Sequence, residues 1–342
     1  MGKYFIIVVV EVILILIISF MVSCKNVDKL NDENKILKRC NNTGIRIFQR
    51  SIYHWKTTFD LNQEEKSFLQ KHNISRIYIR MFDVCREWNG LEERFEVVPV
   101  ATTKFKSNRP DSIEIIPTVF ITLEALMEYT GKERDLSSLI VTRVLAMCSW
   151  NELGPIKEIQ YDCDWTAHTK ESFARLCQST KELLLNKGIA LSGTIRLHQI
   201  EEAEYPFDIG VLMMYNTGNF KDVNTRNSIL DFNDVKKYMM VENRIKRFKE
   251  ARSYNCKTIS VAYPIFSWGV EFDDKGQFSR LISDYPNDLY DSKYKVKYES
   301  SDINEILKVR YLVDSTIGKC IDANILYHLD SDNLKKYTSD EI

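Results

Sequence analysis

Two carboxylates, Asp162 and Asp164, stand two residues apart at the end of an apolar segment and are the residues best suited to chemistry. Because side chains alternate along a strand, both carboxylates and Gln160 are predicted to share one face. Carboxyl groups this close interact, so one keeps its proton to a higher pH than the other. We therefore expect a general acid and a charged stabiliser, as in glycoside cleavage. The alternative is structural: Asp164 caps the following helix, and Asp162 pairs with a buried arginine.

A basic pair follows on the next predicted strand. The segment 192–199 reads SGTIRLHQ, and alternation predicts that Thr194, Arg196 and His198 share one face. These basic groups complement the acidic pair on the neighbouring strand. We expect Arg196 to form a salt bridge with Asp162. His198 is the third candidate catalytic residue, because the ordinary pKa of histidine suits proton transfer.

Polar and aromatic residues also stand at the ends of other predicted strands. Aromatic rings at such positions suit stacking against sugar rings, although for any single ring an ordinary place in the core is the favoured alternative. Their recurrence at several strand ends indicates a carbohydrate ligand. The candidate substrate-binding residues are Trp55, Arg80, Arg196, Tyr215, Asn216 and Trp268.

The elements that must position these residues are short apolar runs rich in β-branched and aromatic residues. Continuous apolar runs are typical of parallel strands that are covered on both faces. The eight runs are Ile45–Tyr53, Arg76–Val84, Ile113–Ile121, Ile156–Trp165, Ala190–Gln199, Asp208–Asn216, Thr258–Trp268 and Ala323–Leu329.

Helical patterns fall between many of these runs. A capping box at Asn62 opens a helix to about Asn73, and Asp302 opens another. Amphipathic spacing predicts helices over 169–187, ending before Gly188, and over 227–251.

Strands that alternate with helices predict βαβ units, and eight of them predict a closed (β/α)8 TIM-like barrel with active-site residues at the carboxyl ends of its strands. Two features distort the ideal pattern. The link 200–207 is too short for a full crossover helix, and the stretch 272–320 is long enough to hold an insertion. The alternative fold is an open doubly wound sheet.

The N-terminus has the pattern of an export signal. A short basic start precedes the apolar segment 4–22, and Ser23 precedes Cys24, the position that is lipidated in bacterial lipoproteins. The alternative is an uncleaved membrane anchor, since about 20 apolar residues span a bilayer. We therefore predict a signal or anchor (1–23), a polar tether (24–43) and one barrel domain (44–342), held at the cell envelope and facing away from the cytoplasm.

Composition and missing motifs exclude several functions. The net charge of -1 gives no reason to expect a nucleic-acid partner. The sequence has no G-x-G-x-x-G, Walker loop, G-x-S-x-G or H-E-x-x-H motif, so no cofactor is expected. Its histidines are dispersed and none of its eight cysteines forms a C-x-x-C pair, so no metal site is expected. We predict that most of the cysteines are buried thiols.

Four segments of the sequence carry a family resemblance. The segments YHWKTTF (53–59), IQYDCDWT (159–166), TIRLHQ (194–199) and LMMYN (212–216) resemble a family of uncharacterised bacterial lipoproteins over most of residues 45–335. The resemblance implies a lipoprotein with a barrel, but no activity.

The D-x-D strand end is also similar, more distantly, to that of chitinase-like glycoside hydrolases. Those enzymes carry D-x-x-D-x-D-x-E, in which the glutamate donates the proton, whereas this sequence has Thr166 at that position. Two hypotheses therefore stand. In the first, the protein hydrolyses a glycan, with Asp164 as acid/base and Asp162 as its electrostatic partner. In the second, it is a glycan-binding or scaffold lipoprotein on a barrel without catalysis.

Overall fold

A computed structural model describes residues 49–201, 205–241, 245–246, 258–282, 295–318 and 321–338. The predicted signal or anchor, Cys24 and the tether lie outside the described residues. Among the helices that are described, none combines the length and apolar character needed to cross a bilayer.

The described ranges form fourteen strands. They are β1 (Gln49–His54), β2 (Thr58–Phe59), β3 (Arg76–Asn89), β4 (Arg94–Val100), β5 (Lys104–Phe105), β6 (Glu114–Ile121), β7 (Glu158–Asp162), β8 (Ala190–Ile195), β9 (Ile209–Met213), β10 (Thr258–Pro264), β11 (Ser267–Phe272), β12 (Phe278–Ile282), β13 (Lys295–Ser300) and β14 (Ile321–Tyr327).

Eight of these strands pair in parallel in the order β1-β14-β10-β9-β8-β7-β6-β3. The ring closes because β1 also pairs with β3, where Ile52 lies opposite Ile77. This closure confirms the predicted (β/α)8 barrel and excludes the open doubly wound sheet. The barrel strands are covered on both faces: four of the five residues of β9 are buried, and its sequence IGVLM carries no polar side chain.

Helices follow several of the barrel strands. In the described ranges they are α1 (Gln63–Lys71), α2 (Leu123–Glu128), α3 (Glu133–Trp150), α4 (Lys170–Leu185), α5 (Phe232–Met239), α6 (Ile303–Ile317) and α7 (Ser331–Leu334), with a 3-10 helix at Leu197–Glu201. The capping box of Asn62 and Glu65 is confirmed at the start of α1. Asp302 caps α6 as predicted, but the Glu305 carboxylate accepts from the Phe232 backbone and from Arg226 instead of closing a box.

The predicted helix over 227–251 begins later, at Phe232. Asp231 is its cap, and accepts from the backbone N–H groups of Asn233 and Asp234. Residues just before this cap are held by the insertion, since both the backbone N–H and the hydroxyl of Ser228 donate to Glu299. A backbone that is committed to these contacts cannot continue the helix.

Both predicted distortions of the barrel are present. The link after β8 holds only the 3-10 helix before β9 begins at Ile209, and the long stretch after β10 contains the antiparallel sheet β12-β11-β13. The predicted run 258–268 is therefore two strands, because the chain leaves the barrel after Pro264 and enters this small sheet at Ser267.

The strand that was predicted to carry the basic pair ends earlier than alternation suggested. β8 stops at Ile195, and the Gln199 side chain accepts from the Arg196 backbone N–H at 2.8 Å, while the Gln199 backbone donates to the Arg196 carbonyl. These bonds turn the chain into the 3-10 helix. His198 therefore does not share a strand face with Thr194 and Arg196, and that prediction was wrong.

Four cysteines fall within the described residues, and all are free thiols. Cys148, Cys163 and Cys177 are buried, as predicted, whereas Cys85 is half-buried. Burial raises the pKa of each of the three buried thiols, which keeps them protonated and unreactive.

Candidate functional site

An open cavity of about 1130 Å³ lies at the carboxyl ends of the barrel strands. Its size is in the range of sites for small molecules and oligosaccharides. Asp83, Tyr327 and Lys336 line it together with most of the predicted site residues, which are Trp55, Arg80, Asp162, Arg196, Tyr215, Asn216 and Trp268. The structure thus brings these seven predicted residues together. Asp164 and His198 are exposed and are not among the lining residues.

Arg196 holds both members of the acidic pair. Its Nη2 donates to Asp162 Oδ1 at 3.1 Å, and its Nε donates to Asp164 Oδ1. The Thr194 hydroxyl adds a bond of 2.7 Å to the same oxygen of Asp162. The two carboxylates therefore share one guanidinium, and Arg196 has the structural role that the sequence predicted for it.

The pKa of Asp162 and the pKa of Arg196 are both raised, but for different reasons. Burial raises the pKa of Asp162, repulsion from Asp164 and Asp83 adds to the rise, and Arg196 and Thr194 oppose it. Burial by itself would lower the pKa of Arg196, but attraction to Asp162 and Asp164 outweighs burial and raises it. Arg196 is therefore always charged, and Asp162 is a buried carboxylate whose ionised form depends on that charge.

A second arginine that lines the cavity is also paired with a carboxylate. Arg80 makes a two-bond pair with Asp83, through Nε at 2.7 Å and through Nη2. Its guanidinium also lies over the Trp55 ring, 5.6 Å from the centroid, which is a cation–π distance. Trp55 is thereby fixed as a flat surface that faces the cavity.

A row of aromatic rings continues from Trp55 along the wall. Tyr327 lies 5.7 Å from Trp55 and stacks on Tyr215 at 4.7 Å between centroids. Phe266 contacts Tyr327 at 5.5 Å and Trp268 at 5.3 Å. Tyr327 and Phe266 were not among the predicted site residues, although both follow the strand-end pattern of the other rings.

The insertion supplies one side of the cavity. Trp268 donates its indole N–H to Glu299 Oε2 at 3.0 Å, and Lys297 holds the other oxygen of Glu299 at 2.8 Å. Bonds from Lys297, Ser228 and Trp268 outweigh burial and lower the pKa of Glu299. The hydrogen bond to the charged Glu299 carboxylate sets the orientation of the Trp268 ring.

Polar side chains continue below the cavity, along the inner face of β7. Gln160 accepts at Oε1 from the Tyr53 hydroxyl at 2.7 Å and from Thr118 at 3.3 Å. Glu158 accepts from Tyr78 at 3.3 Å. The alternation of Glu158, Gln160 and Asp162 therefore packs polar groups into the barrel, and Asp162 is the uppermost of them.

A group of residues near the C-terminus also lines the cavity and was not predicted from the sequence. The Lys336 ammonium donates to the Ser267 hydroxyl and to Asn333 Oδ1 at 3.0 Å. His328 lies beside them, and its Nδ1 is buried with no hydrogen-bond partner. No sequence signal identifies these residues, because the segment after β14 has the composition of an ordinary exposed helix.

The position of the chitinase proton donor carries no acid. Thr166 is exposed, and its backbone N–H donates to the Thr169 hydroxyl at 3.0 Å in the turn before α4.

In the part of the chain that the structure describes, no group of three or more His, Cys, Asp or Glu residues is arranged to hold a metal ion.

No protein-family model matches the sequence, and no curated protein is similar to it. Solved structures do match. The spore cortex-lytic enzyme SleL of Bacillus megaterium has a TM-score of 0.52 at 11% identity, over 86% of this chain and 74% of that enzyme. The group IV chitinase of Ostrinia furnacalis has a TM-score of 0.52 at 10% identity, over 86% and 95%.

A third similar structure is the GH18 chitinase ChiB of Flavobacterium johnsoniae, with a TM-score of 0.50 at 11% identity over 84% of this chain and 89% of ChiB. At such identities the likeness shows the fold alone, which is a (β/α)8 TIM barrel. The predicted similarity to a chitinase-like barrel is therefore confirmed at the level of fold. Membership of a lipoprotein family stays a prediction.

Proposed function

We propose that this protein binds a glycan in the cavity at the carboxyl ends of its barrel strands, without cutting it by the chitinase mechanism. The observation that carries the proposal is the open cavity itself, whose wall is a continuous row of aromatic rings from Trp55 through Tyr327 to Trp268. Such rings stack on the apolar faces of sugars, while polar side chains between them bond the hydroxyl groups.

The state of the carboxylates supports binding over cleavage. A general acid needs a proton and a free path to the glycosidic oxygen. Asp164 does not line the cavity and is bonded to Arg196, and Thr166 stands where the donor would be. Asp162 does line the cavity, but it is held by Arg196 and Thr194.

A hydrolase is the second candidate, and one observation favours it. Asp83 and Asp162 both line the cavity and repel each other, and burial raises the pKa of Asp162, which is the behaviour of a general acid. In this version Asp162 would replace Asp164 as the acid, with Asp83 as the second carboxylate.

We further propose that the protein is tethered at the cell envelope through a lipid on Cys24. The support is the sequence pattern of an apolar segment followed by a small residue and cysteine. Two or more acyl chains would anchor the protein stably, so that a glycan-binding cavity would be held close to the cell surface.

Binding and cleavage can be separated in one experiment on the full chain in mild detergent. Chitin oligosaccharides and isolated spore cortex, the materials named for the similar enzymes, are the first ligands to screen. Trp55→Ala should weaken binding about two- to tenfold, the effect of losing about 0.5–1.5 kcal/mol of ring contact. Trp150→Ala is the matched control, because Trp150 is highly exposed at the end of α3, away from the cavity.

Each outcome has a clear meaning. Binding without cleavage, weakened by the Trp55 variant alone, supports the glycan receptor. Cleavage by the parent that is abolished by Asp162→Asn supports the hydrolase instead. If neither ligand nor any other glycan on an array binds, the carbohydrate proposal is wrong.

A further inference from the structure

One corner of the cavity is basic. It consists of Lys336, Ser267, Asn333 and His328, all of which line the cavity. We call these four residues the basic corner. Within it, Lys336 donates to the Ser267 hydroxyl and to the Asn333 amide oxygen, which hold the ammonium at the cavity wall.

The other cations of the cavity are already paired with carboxylates. Arg196 holds Asp162 and Asp164, and Arg80 holds Asp83. Lys56 bridges Asp330 and lies 3.4 Å from Glu65.

Lys336 differs from these cations. The carboxylates nearest to it are engaged elsewhere, Asp330 with Lys56 and Asp332 with Lys335 at 3.0 Å. Among the described residues, no carboxylate lies within salt-bridge distance of Lys336. The basic corner therefore presents a positive charge to the cavity that the protein does not neutralise by a direct contact.

Lys336 is an exposed residue, and its ammonium is only partly removed from water. Desolvation lowers the pKa of Lys336, although the more distant Asp330 and Asp332 oppose the shift. An ammonium that is partly removed from water and lacks a counter-ion gains more than an exposed one when an anion binds beside it.

His328 offers a second contact for the same anion. Burial lowers its pKa to about 4, so its imidazole is neutral at pH 7 and carries one N–H donor. Its Nδ1 is closed to solvent, so a ligand in the cavity would contact the ring through Nε2.

We propose that the basic corner binds a carboxylate, so that the ligand of the cavity is an acidic saccharide. The inference rests on the proposed glycan binding and adds the chemical class of the sugar. Its carboxylate would lie between the Lys336 ammonium and the His328 imidazole, while its rings lie along the aromatic row that ends at Trp268. A neutral oligosaccharide would fill the same cavity but would leave the Lys336 charge uncompensated.

The test compares paired ligands on the full chain in mild detergent. One ligand is a uronic-acid oligosaccharide, and the other is the same oligosaccharide after its carboxyl groups have been reduced to alcohols. A second pair consists of an N-acetylhexosamine oligosaccharide with and without a lactyl ether carboxylate. The two pairs together distinguish a ring carboxylate from an ether-linked one. Affinities are measured by calorimetry at low and at physiological salt.

The variant is Lys336→Gln, which keeps a donor for Ser267 and Asn333 but removes the charge. Its matched control is Lys187→Gln, since Lys187 is exposed and does not line the cavity. The parent should prefer at least one acidic ligand over its neutral partner by roughly tenfold to a hundredfold, the value of one charge-assisted hydrogen bond. The Lys336 variant should lose this preference and the Lys187 variant should keep it.

The possible failures are distinguishable. Equal binding of acidic and neutral ligands by the parent, or a preference that survives in the Lys336 variant, overturns the acidic-sugar inference and leaves glycan binding in place. Absence of binding to every saccharide overturns both proposals. A circular dichroism spectrum equal to that of the parent shows that any loss in the Lys336 variant is not caused by unfolding.

Discussion

Removal of the Arg196 charge should destabilise the protein, because the buried Asp162 carboxylate would lose its ion-pair partner. In Arg196→Met the aliphatic stem is replaced by a chain of similar bulk, but Asp162, which is 4% exposed, loses its guanidinium partner. Taking one partner from a buried ion pair costs about 3–5 kcal/mol. The bond to Asp164 adds little, because 51% of that side chain is exposed and water screens the interaction. We therefore expect the free energy of unfolding to fall by about 3–5 kcal/mol at pH 7.

The loss should depend on pH in a direction that the pKa of Asp162 decides. Burial already raises this pKa, and loss of Arg196 raises it further because the main opposing attraction is gone. A carboxyl group whose folded-state pKa lies above its unfolded-state value holds more protons in the folded state. The amount by which this group lowers the free energy of unfolding is therefore small at low pH and grows as pH rises through the folded-state pKa. The difference in the free energy of unfolding between the parent and Arg196→Met should therefore become smaller as the pH is lowered from 7 toward 4.

Urea unfolding followed by tryptophan fluorescence measures this deficit on the full chain in mild detergent. The control is the double variant Arg196→Met/Asp162→Asn, in which the neutral amide still accepts from the Thr194 hydroxyl. It should be more stable than Arg196→Met by about 2 kcal/mol, because no charge is left buried without a partner. A loss below about 1 kcal/mol, or a double variant less stable than the single one, would refute the role assigned to this ion pair.

Three further predictions concern other parts of the chain. Palmitate should label the parent but not Cys24→Ala in a bacterial host, and label retained by the variant would contradict lipidation. Gly193→Ala should lower stability by about 1–3 kcal/mol in urea, because its Cβ would lie 2.3 Å from Cδ1 of the buried Phe207 ring, and an unchanged midpoint would contradict this clash. The protein should lose roughly 2–3 kcal/mol between pH 6.5 and 4.5 through His54, since burial lowers its pKa to about 3 and the unfolded chain gains the proton first. His54→Gln should flatten this decline and His168→Gln, at an exposed site, should not; equal declines in both variants would be inconsistent with this origin.

Much of the fold was predictable because its signals are local. Continuous apolar runs mark parallel strands that are covered on both faces, and the runs at 76–84 and 190–199 each begin at the observed first residue of a barrel strand. The side chain of Asn62 marks the start of α1 for a reason contained within four residues. Strand ends were less predictable. The turn after Ile195 depends on the Gln199 side chain, a contact that alternation does not reveal.

Part of the site was predictable for the same reason. Asp162 and Trp55 could be predicted because the carboxyl ends of barrel strands meet at one rim. Polar and aromatic residues at these strand ends therefore lie close together in the folded protein. His198 was proposed by the same rule, but the strand had already ended, and the side chain lies exposed on the 3-10 helix.

The barrel, the acidic pair and the aromatic and polar residues at the strand ends could be predicted from sequence patterns. The contacts of Arg196 with both aspartates, the place of Phe266 and Tyr327 in the aromatic row, and the position of Lys336 at the cavity without a carboxylate partner depend on the folded chain. They depend on it because the barrel closes. Pairing of β1 with β14 brings the two ends of the domain together, so that charges and rings far apart in sequence lie at one cavity.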